Sequence, residues 1–252
     1  MRVAAIQHDI VWEDPDATLD HLGPELAAAA TAGAHLALLS EMFSVGFSLD
    51  LDRIAEAPDG PSATFLSEQA ARHRMWVGGS IPVRDPALAL PVNRFVLAGP
   101  DGEQVHYDKI HPFSYAGEDQ YYQPGSSFTT VDIDGLRVSL FVCYDLRFAD
   151  EFWILAPGTD CYLVPANWPS SRRLHWRSLL RARAIENQAY VIGVNRVGEG
   201  GGLSYSGDSA IIDPMGEVLA AAAGTEALLV ADVDAAVVAG TRARFPFLAD
   251  RR

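Results

Sequence analysis

Short apolar, β-branched runs alternate with longer stretches of helical period along the whole chain. Arg2–Gln7 reads as a first strand, 17–32 as an alanine-rich helix that closes near Gly33, and 35–39 as a short buried strand that stops at Ser40-Glu41. Helical period returns over 63–74, and 76–81 reads as a strand. Two hairpins follow: Val92–Ala98 with Gln104–Asp108 around Gly-Pro-Asp-Gly, and 128–133 with 137–142 around Asp134-Gly135. A helix near 149–156, a strand at 161–165, a helix at 175–187 and a strand at 190–194 come next. The pattern ends on a hairpin (209–212, 217–221) turning at Asp213-Pro-Met-Gly216, and a strand at 227–233. Alternation of strand and helix mixed with hairpins predicts an α/β fold with a mixed sheet or two stacked sheets. The segment 111–127 has no period, and a loop of that length inside a compact domain points to function or mobility. No linker, low-complexity tract or repeat divides the chain, so 1–252 reads as a single domain.

Composition narrows the function classes. The 252 residues are 49% hydrophobic and 21% charged, enough to bury a core without disulfide or metal staples. The formal net charge of -14 argues against nucleic acid and anionic membrane surfaces. An anionic substrate would need a few local cations instead of a global field. The N-terminus reads as a strand with no secretory succession, and no run is apolar for about 18 residues, so neither export signal nor membrane span is expected. Two cysteines without an export signal suggest a reduced, cytoplasmic setting.

Ligands of open α/β sheets gather at the carboxyl ends of strands. Three ionisable residues fall just past such ends: Glu41 after Leu-Ala-Leu-Leu-Ser, Lys109 after Val105-His-Tyr-Asp, and Cys143 after Leu-Phe-Val. They supply a proton acceptor, a fixed cation and a nucleophile, the set that acyl transfer through a thioester needs. On spacing alone other readings stand beside this one. Cys143 can be an inert core thiol, Glu41 a cap or surface acid, and Lys109 one end of a salt bridge. A cysteine–histidine pair is a rival, with His106, His111 and His175 as candidates. Two cysteines and scattered histidines show no zinc-ligand spacing, and no metal or organic cofactor is called for.

The motifs themselves carry a resemblance. Leu38-Leu39-Ser40-Glu41-Met42-Phe43, Tyr107-Asp108-Lys109-Ile110-His111 and Val142-Cys143-Tyr144-Asp145-Leu146-Arg147-Phe148 resemble, in order, the three signatures of the nitrilase superfamily of carbon–nitrogen hydrolases. Asn167-Trp168-Pro169, Glu186-Asn187, Asn195-Arg196 and Gly207-Asp208-Ser209 extend the likeness over nearly the whole chain. Tyr144-Asp145 after the cysteine is similar to the omega-amidase branch, whereas true nitrilases usually carry Trp-Glu there.

The resemblance implies a four-layer α-β-β-α sandwich. It makes Glu41 the general base, Lys109 the oxyanion partner and Cys143 the nucleophile, with the backbone N–H of Tyr144 as second oxyanion donor. Glu118, in the loop after the lysine motif, matches an accessory glutamate that orients Lys109. The branch acts on ω-amides of dicarboxylic acids such as 2-oxoglutaramate and 2-oxosuccinamate, so the far carboxylate needs an anchor. Arg172 and Arg173 are candidates, with Arg172 matching better. Arg147 is nearer in sequence but is also placed to pair with Asp145. Phe43, Tyr115 and Trp168 are candidate pocket walls. Cys161 reads as structural, and Asn195 and Asp208 as loop-fixing. Many relatives have proline before the base; Ser40 replaces it here, with its hydroxyl free for a local backbone bond. The family is usually homodimeric. An N-carbamoyl or other aliphatic amidase, or a non-catalytic protein keeping the fold, are the competing functions.

Overall fold

The computed structural model describes residues 1–251. β1 (Arg2–Gln7) is followed by α1 (Pro15–Thr31), which starts where the Asp14 side chain accepts from the Ala17 N–H and Pro15 pre-sets the first turn. Then come β2 (Leu36–Leu38), the single turn α2 (Leu51–Ile54), α3 (Pro61–His73), β3 (Trp76–Val83), β4 (Val92–Ala98) and β5 (Gln104–Asp108). The second half holds β6 (Thr130–Ile133), β7 (Leu136–Leu140), α4 (Ala149–Leu155), β8 (Cys161–Ala166), α5 (Arg173–Asn187), β9 (Tyr190–Asn195), β10 (Val197–Gly200), β11 (Leu203–Ile212), β12 (Val218–Ala223), β13 (Ala227–Asp232) and α6 (Ala235–Arg244).

The strands form two sheets. The first runs β13-β1-β2-β3-β4-β5; the second runs β10-β11-β9-β8-β7-β6, with β12 on the free side of β11. Alternation along β1 shows why they stack. Val3 and Ala5 enter the core shared with Val138, Leu140 and Leu163 of the second sheet, while Ala4 and Ile6 pack against Leu22, Leu26 and Ala29 of α1 and Leu66 and Ala70 of α3. Phe152 of α4 and Trp176 and Leu180 of α5 cover the other face of the second sheet. The result is the four-layer α-β-β-α sandwich that the resemblance implied. No described helix is long and apolar enough to cross a membrane.

The parallel β1-β2-β3 and β7-β8-β9 sets place their carboxyl ends together. Three elements escape the hydrophobic pattern: the single turn α2, β10, which is Val-Gly-Glu-Gly, and α6, whose apolar stripe is weak. β11 begins at Leu203, six residues earlier than the pattern suggests. The aperiodic stretch 111–127 contains two short 3-10 turns, Ser114–Ala116 and Glu118–Gln120.

Candidate active site

Glu41, Lys109, Glu118 and Cys143 meet at the ends of β2, β5 and β7, and all four are buried. β7 stops at Leu140, so two extended residues precede Cys143, which opens a 3-10 turn (Cys143–Arg147) with φ 46°. Met42, directly after Glu41, also has positive φ, 40°. Such left-handed backbone costs a non-glycine residue about 1–3 kcal/mol and persists where surrounding contacts impose it. Here it accompanies the exit of Glu41 and Cys143 from their strands toward the site. Asp145 braces the Cys143 turn by accepting from the Val142 N–H (2.9 Å), the His111 N–H (2.9 Å) and the Tyr107 hydroxyl (2.8 Å). Burial pushes this carboxyl up to about 7, against those three donors.

The Lys109 ammonium donates to Glu41 Oε1 at 2.8 Å and to Glu118 Oε2 and Oε1 at 2.8 and 3.1 Å. Burial works against this cation, but Glu118 and Glu41 outweigh it and hold Lys109 well above its ordinary pKa. It therefore stays charged. Glu41 is held on both oxygens: Asn93 Nδ2 donates to Oε1 at 2.9 Å and the Asn167 N–H to Oε2 at 2.8 Å. Asn167 Nδ2 also donates to the Glu41 carbonyl, and Asn93 Nδ2 reaches Glu118 Oε1 at 3.2 Å. Glu118 is further fixed by the Phe113 N–H.

The hydrogen-bond partners of the Glu41 carboxylate, Lys109, Asn93 and the Asn167 N–H, are all donors, and the Cys143 thiol lies close enough to feel its charge. Burial pushes that thiol well up, Glu41 adds to the shift, and Lys109 opposes it. The resting thiol is thus neutral, with the Glu41 side chain beside it. None of the three histidines takes that place. His106 faces Gln104, His111 bonds Glu151 at 2.6 Å, and His175 contacts Arg147 at 3.2 Å. His111, Asp145 and Glu151 bring ligand-type atoms within 4.8 Å of one another, but both Asp145 oxygens and the His111 ring are already engaged in the brace.

A cleft of 190 Å³ opens over the thiol, lined by Glu41, Lys109 and Cys143 on its floor, and it extends into a narrow lobe between Arg147, Trp168 and Tyr144. Ligand pockets for drug-sized molecules run to about 300–1,000 Å³, so this one suits a small substrate. A larger groove of 510 Å³ between α5 and β11–β12 contains none of the four residues. Arg172 lines both parts of the cleft, with its guanidinium 5.3 Å from the Phe113 ring, and forms no ion pair among the described residues. Arg173 is instead committed to Asp208 through two bonds of 3.0 and 2.7 Å. Arg147 stacks over Trp168 at 4.7 Å and does not pair with Asp145.

Two sequence expectations are overturned. Phe43 is fully buried, packed against Phe65 on the helix side of the first sheet, and does not line the cleft. Tyr115 is 84% exposed and does not line it. The apolar walls are Phe113, Phe47, Leu49, Leu203 and Tyr205, together with Trp168 as expected. Ser40 also differs: its hydroxyl meets the His8 imidazole, with Oγ 3.0 Å from Nε2, rather than local backbone. Asn93 is the site residue that motif reading missed, and an asparagine inside the apolar strand Val-Asn-Arg-Phe-Val-Leu-Ala was its only signal.

Comparison with known proteins agrees with this geometry. The family model described as carbon-nitrogen hydrolase matches residues 2–243. Omega-amidase YafV of Escherichia coli K12 is 37% identical over 249 residues, covering 98% of this chain and 94% of its own length. The 2-oxoglutaramate amidase of Bacillus subtilis is 31% identical, covering 99% and 97%. The crystal structure of XC1258 from Xanthomonas campestris, a CN-hydrolase superfamily protein with an arsenic adduct in its active site, superimposes with a TM-score of 0.94 at 38% identity, covering 100% of this chain and 97% of that one. The chain therefore belongs to the carbon–nitrogen hydrolase family and is a cysteine-dependent amidohydrolase of the nitrilase superfamily.

Proposed function

We propose that this amidohydrolase cleaves the terminal amide of small dicarboxylic acid monoamides, such as 2-oxoglutaramate or 2-oxosuccinamate. The observation that carries the reading is one small cleft holding a thiol, a carboxylate base, a buried ammonium and the unpaired guanidinium of Arg172. Arg172 is the group suited to grip the far carboxylate, which a floor bearing two glutamates would otherwise repel. The names of the Escherichia coli and Bacillus subtilis relatives support the same substrate class.

In this reading Cys143 Sγ attacks the amide carbon while its proton passes to Glu41. The carbonyl oxygen becomes an oxyanion held by the Lys109 ammonium and the Tyr144 N–H, which sits at the start of the 3-10 turn, where N–H groups lack intrahelical acceptors. Collapse breaks the C–N bond as Glu41 returns the proton to nitrogen, releasing ammonia and leaving a thioester. Glu41 then takes a proton from water, the hydroxide oxygen adds to the thioester carbon, and the thiol leaves with that proton restored. Glu118 keeps Lys109 oriented throughout.

Ammonia release from 2-oxoglutaramate, glutamine, asparagine and N-carbamoyl-β-alanine tests the substrate class. The expected order puts 2-oxoglutaramate first; turnover of the carbamoyl compound in preference would favour the N-carbamoyl amidase reading. Arg172→Ala is expected to raise KM for dicarboxylic monoamides about 10–100-fold, the worth of a charged hydrogen-bonded contact, with little change for neutral amides. Equal effects on both would remove Arg172 from this role. Two free cysteines fit a reducing, cytoplasmic setting. A homodimer, inferred from the family, is checked by sedimentation equilibrium.

A further inference from the structure

His8 is a fully buried imidazole that the chemistry above leaves unused. It directly follows β1, and the β1–β2 register (Ala5 opposite Leu38), carried forward, sets it beside the exit of β2 that leads to Glu41. Its Nδ1 lies 2.8 Å from the Asp9 carbonyl. A carbonyl only accepts, so Nδ1 carries the proton and Nε2 presents a lone pair. Ser40 Oγ, also fully buried, lies 3.0 Å from that lone pair, and its hydroxyl must therefore donate. Burial holds His8 down to about 4, opposed by its bond to Asp9 and assisted by Arg196. The imidazole is thus a neutral acceptor at ordinary pH.

Ser40 immediately precedes Glu41. Four backbone ties of this exit run to the β3 side: the Leu39 N–H to the Gly78 carbonyl at 2.7 Å, the Ser80 N–H to the Ser40 carbonyl at 3.4 Å, the Met42 N–H to Ser80 Oγ at 3.0 Å and the Phe43 N–H to the Ser80 carbonyl at 3.1 Å. A fifth, from Asn167 Nδ2 to the Glu41 carbonyl, comes from the second sheet. The bond to His8 holds the exit from the β1 side. His8 is itself anchored, because its carbonyl accepts the Val197 N–H of the second sheet at 3.0 Å. One imidazole thereby connects the residue before the base to both sheets. The segment it holds carries the positive φ at Met42, a conformation that needs outside support.

We propose that His8 is a positioning residue: through the Ser40 hydroxyl it fixes the backbone where Glu41 leaves β2, and so sets the carboxylate against Cys143 and Lys109. This rests on the reading of Glu41 as the base. A base displaced by about 1 Å loses about 10²-fold in rate. Loss of one tie among several should displace it less, so the expected loss is about tenfold in kcat. KM should hold within about twofold, since the proposed carboxylate anchor, Arg172, lies on a different element.

The test is a set of four variants: His8→Phe, which fills the volume without an acceptor; His8→Gln, whose amide oxygen can accept from Ser40; Ser40→Ala; and the double variant His8→Phe with Ser40→Ala. Each is assayed for kcat, KM and thermal unfolding. The proposal expects His8→Phe and Ser40→Ala each to lower kcat about tenfold, the double variant to fall no further than the singles, and His8→Gln to recover kcat to within about threefold of the parent. It is overturned if the single variants keep kcat within about twofold, if their losses multiply in the double variant, or if His8→Gln recovers nothing. Should His8→Phe fail to fold, Ser40→Ala and His8→Gln decide the matter alone. Glu41→Gln in the same assay separates the two readings. An active Glu41→Gln removes the base assignment, whereas an inactive one beside an unimpaired Ser40→Ala removes only the role of His8.

Discussion

Cys143 and Cys161 are the chain's two cysteines, both free, both buried, and both in the core that the two sheets share. Cys161 opens β8 between Val138 of β7 and Tyr190 of β9, and its nearest polar contact is a weak one to the Tyr162 carbonyl at 3.9 Å. Cys143 lies three residues past the end of β7, with positive φ and the Glu41 carboxylate beside it. Burial pushes both thiols up, with Asp160 adding at Cys161 and Glu41 adding at Cys143. A depressed pKa, the common mark of a reactive thiol, therefore does not separate them. Lys109 would lower the Cys143 thiol, but two carboxylates already surround its ammonium. What separates the pair is an acceptor within reach. On the mechanism proposed above, the nucleophile is made at the moment of attack, by transfer of its proton to Glu41, and is not stored as a thiolate.

The hardest test of that contrast is deletion. Cys143→Ala should lower kcat at least about 10⁴-fold, because residues acting as one unit fail together. Thermal unfolding should show the fold retained. Residual turnover near the parent level would place the nucleophile elsewhere. Lys109→Met comes next. It removes an oxyanion donor, a loss of about 10²–10³-fold in kcat. It also leaves Glu41 and Glu118 facing each other without their shared cation. Breaking a buried pair in this way costs about 3–5 kcal/mol, so the midpoint of urea unfolding should fall with the activity. Full activity in a destabilised protein would make Lys109 purely structural.

Glu41, Lys109 and Cys143 were legible because each falls just past a strand end, and strand ends can be read one segment at a time, although only Glu41 and Cys143 follow apolar runs. Their supports were not. The contacts of Asn93 and His8 exist only once the first sheet has assembled, with β1 beside β2 and β4 across from it on the far side of β3. Asn167 was visible as a motif, but its hold on Glu41 spans 126 positions. Phe43 misled for a local reason. Strand alternation through Ala37 and Leu39, which pack on the helix side, carries position 43 to that same side, and its ring is found there; Glu41 is the residue of that series that leaves the helix face for the site. Tyr115 failed because the 3-10 turns of 111–127 have no period that shows which aromatic faces inward, and the structure chooses Phe113. The layered fold was easier, since runs such as Val-Ala-Ala-Ile can be apolar on both faces only between a sheet and a helix layer. β10 and α6 stayed hidden because neither has a strong apolar face.

Alkylation as a function of pH sharpens the comparison at smaller amplitude. A thiol pushed up by burial and a neighbouring carboxylate is neutral below its pKa, so its thiolate fraction grows about tenfold per pH unit until that pKa is passed. Iodoacetamide modification of Cys143, read by mass spectrometry, should climb through pH 6–9 without a plateau, these limits being about the range in which a depressed thiol would level off. A plateau near neutrality would show a stored thiolate and break the account of Glu41 as the acceptor. Cys161 should stay unmodified in the folded protein, because β7 and β9 cover it on either side and no cleft reaches it.

The smallest expected effect belongs to Cys161 itself. Cys161→Ala removes one buried sulfur from an apolar strand, a change comparable to deleting a methylene or two, and should cost about 1–2 kcal/mol of stability. Activity should stay within about twofold of the parent, because no site residue contacts this side chain. Cys161→Ser keeps the volume but places a hydroxyl where the only acceptor contact is the weak one to Tyr162, so it should be the less stable of the two, by up to about 1–3 kcal/mol for an unsatisfied polar group. Urea unfolding of both variants, with turnover measured alongside, gives the order directly. If either substitution lowered kcat more than its loss of folded protein explains, β8 would be transmitting strain to Asn167, which follows it and holds Glu41, and the two cysteines would no longer be independent.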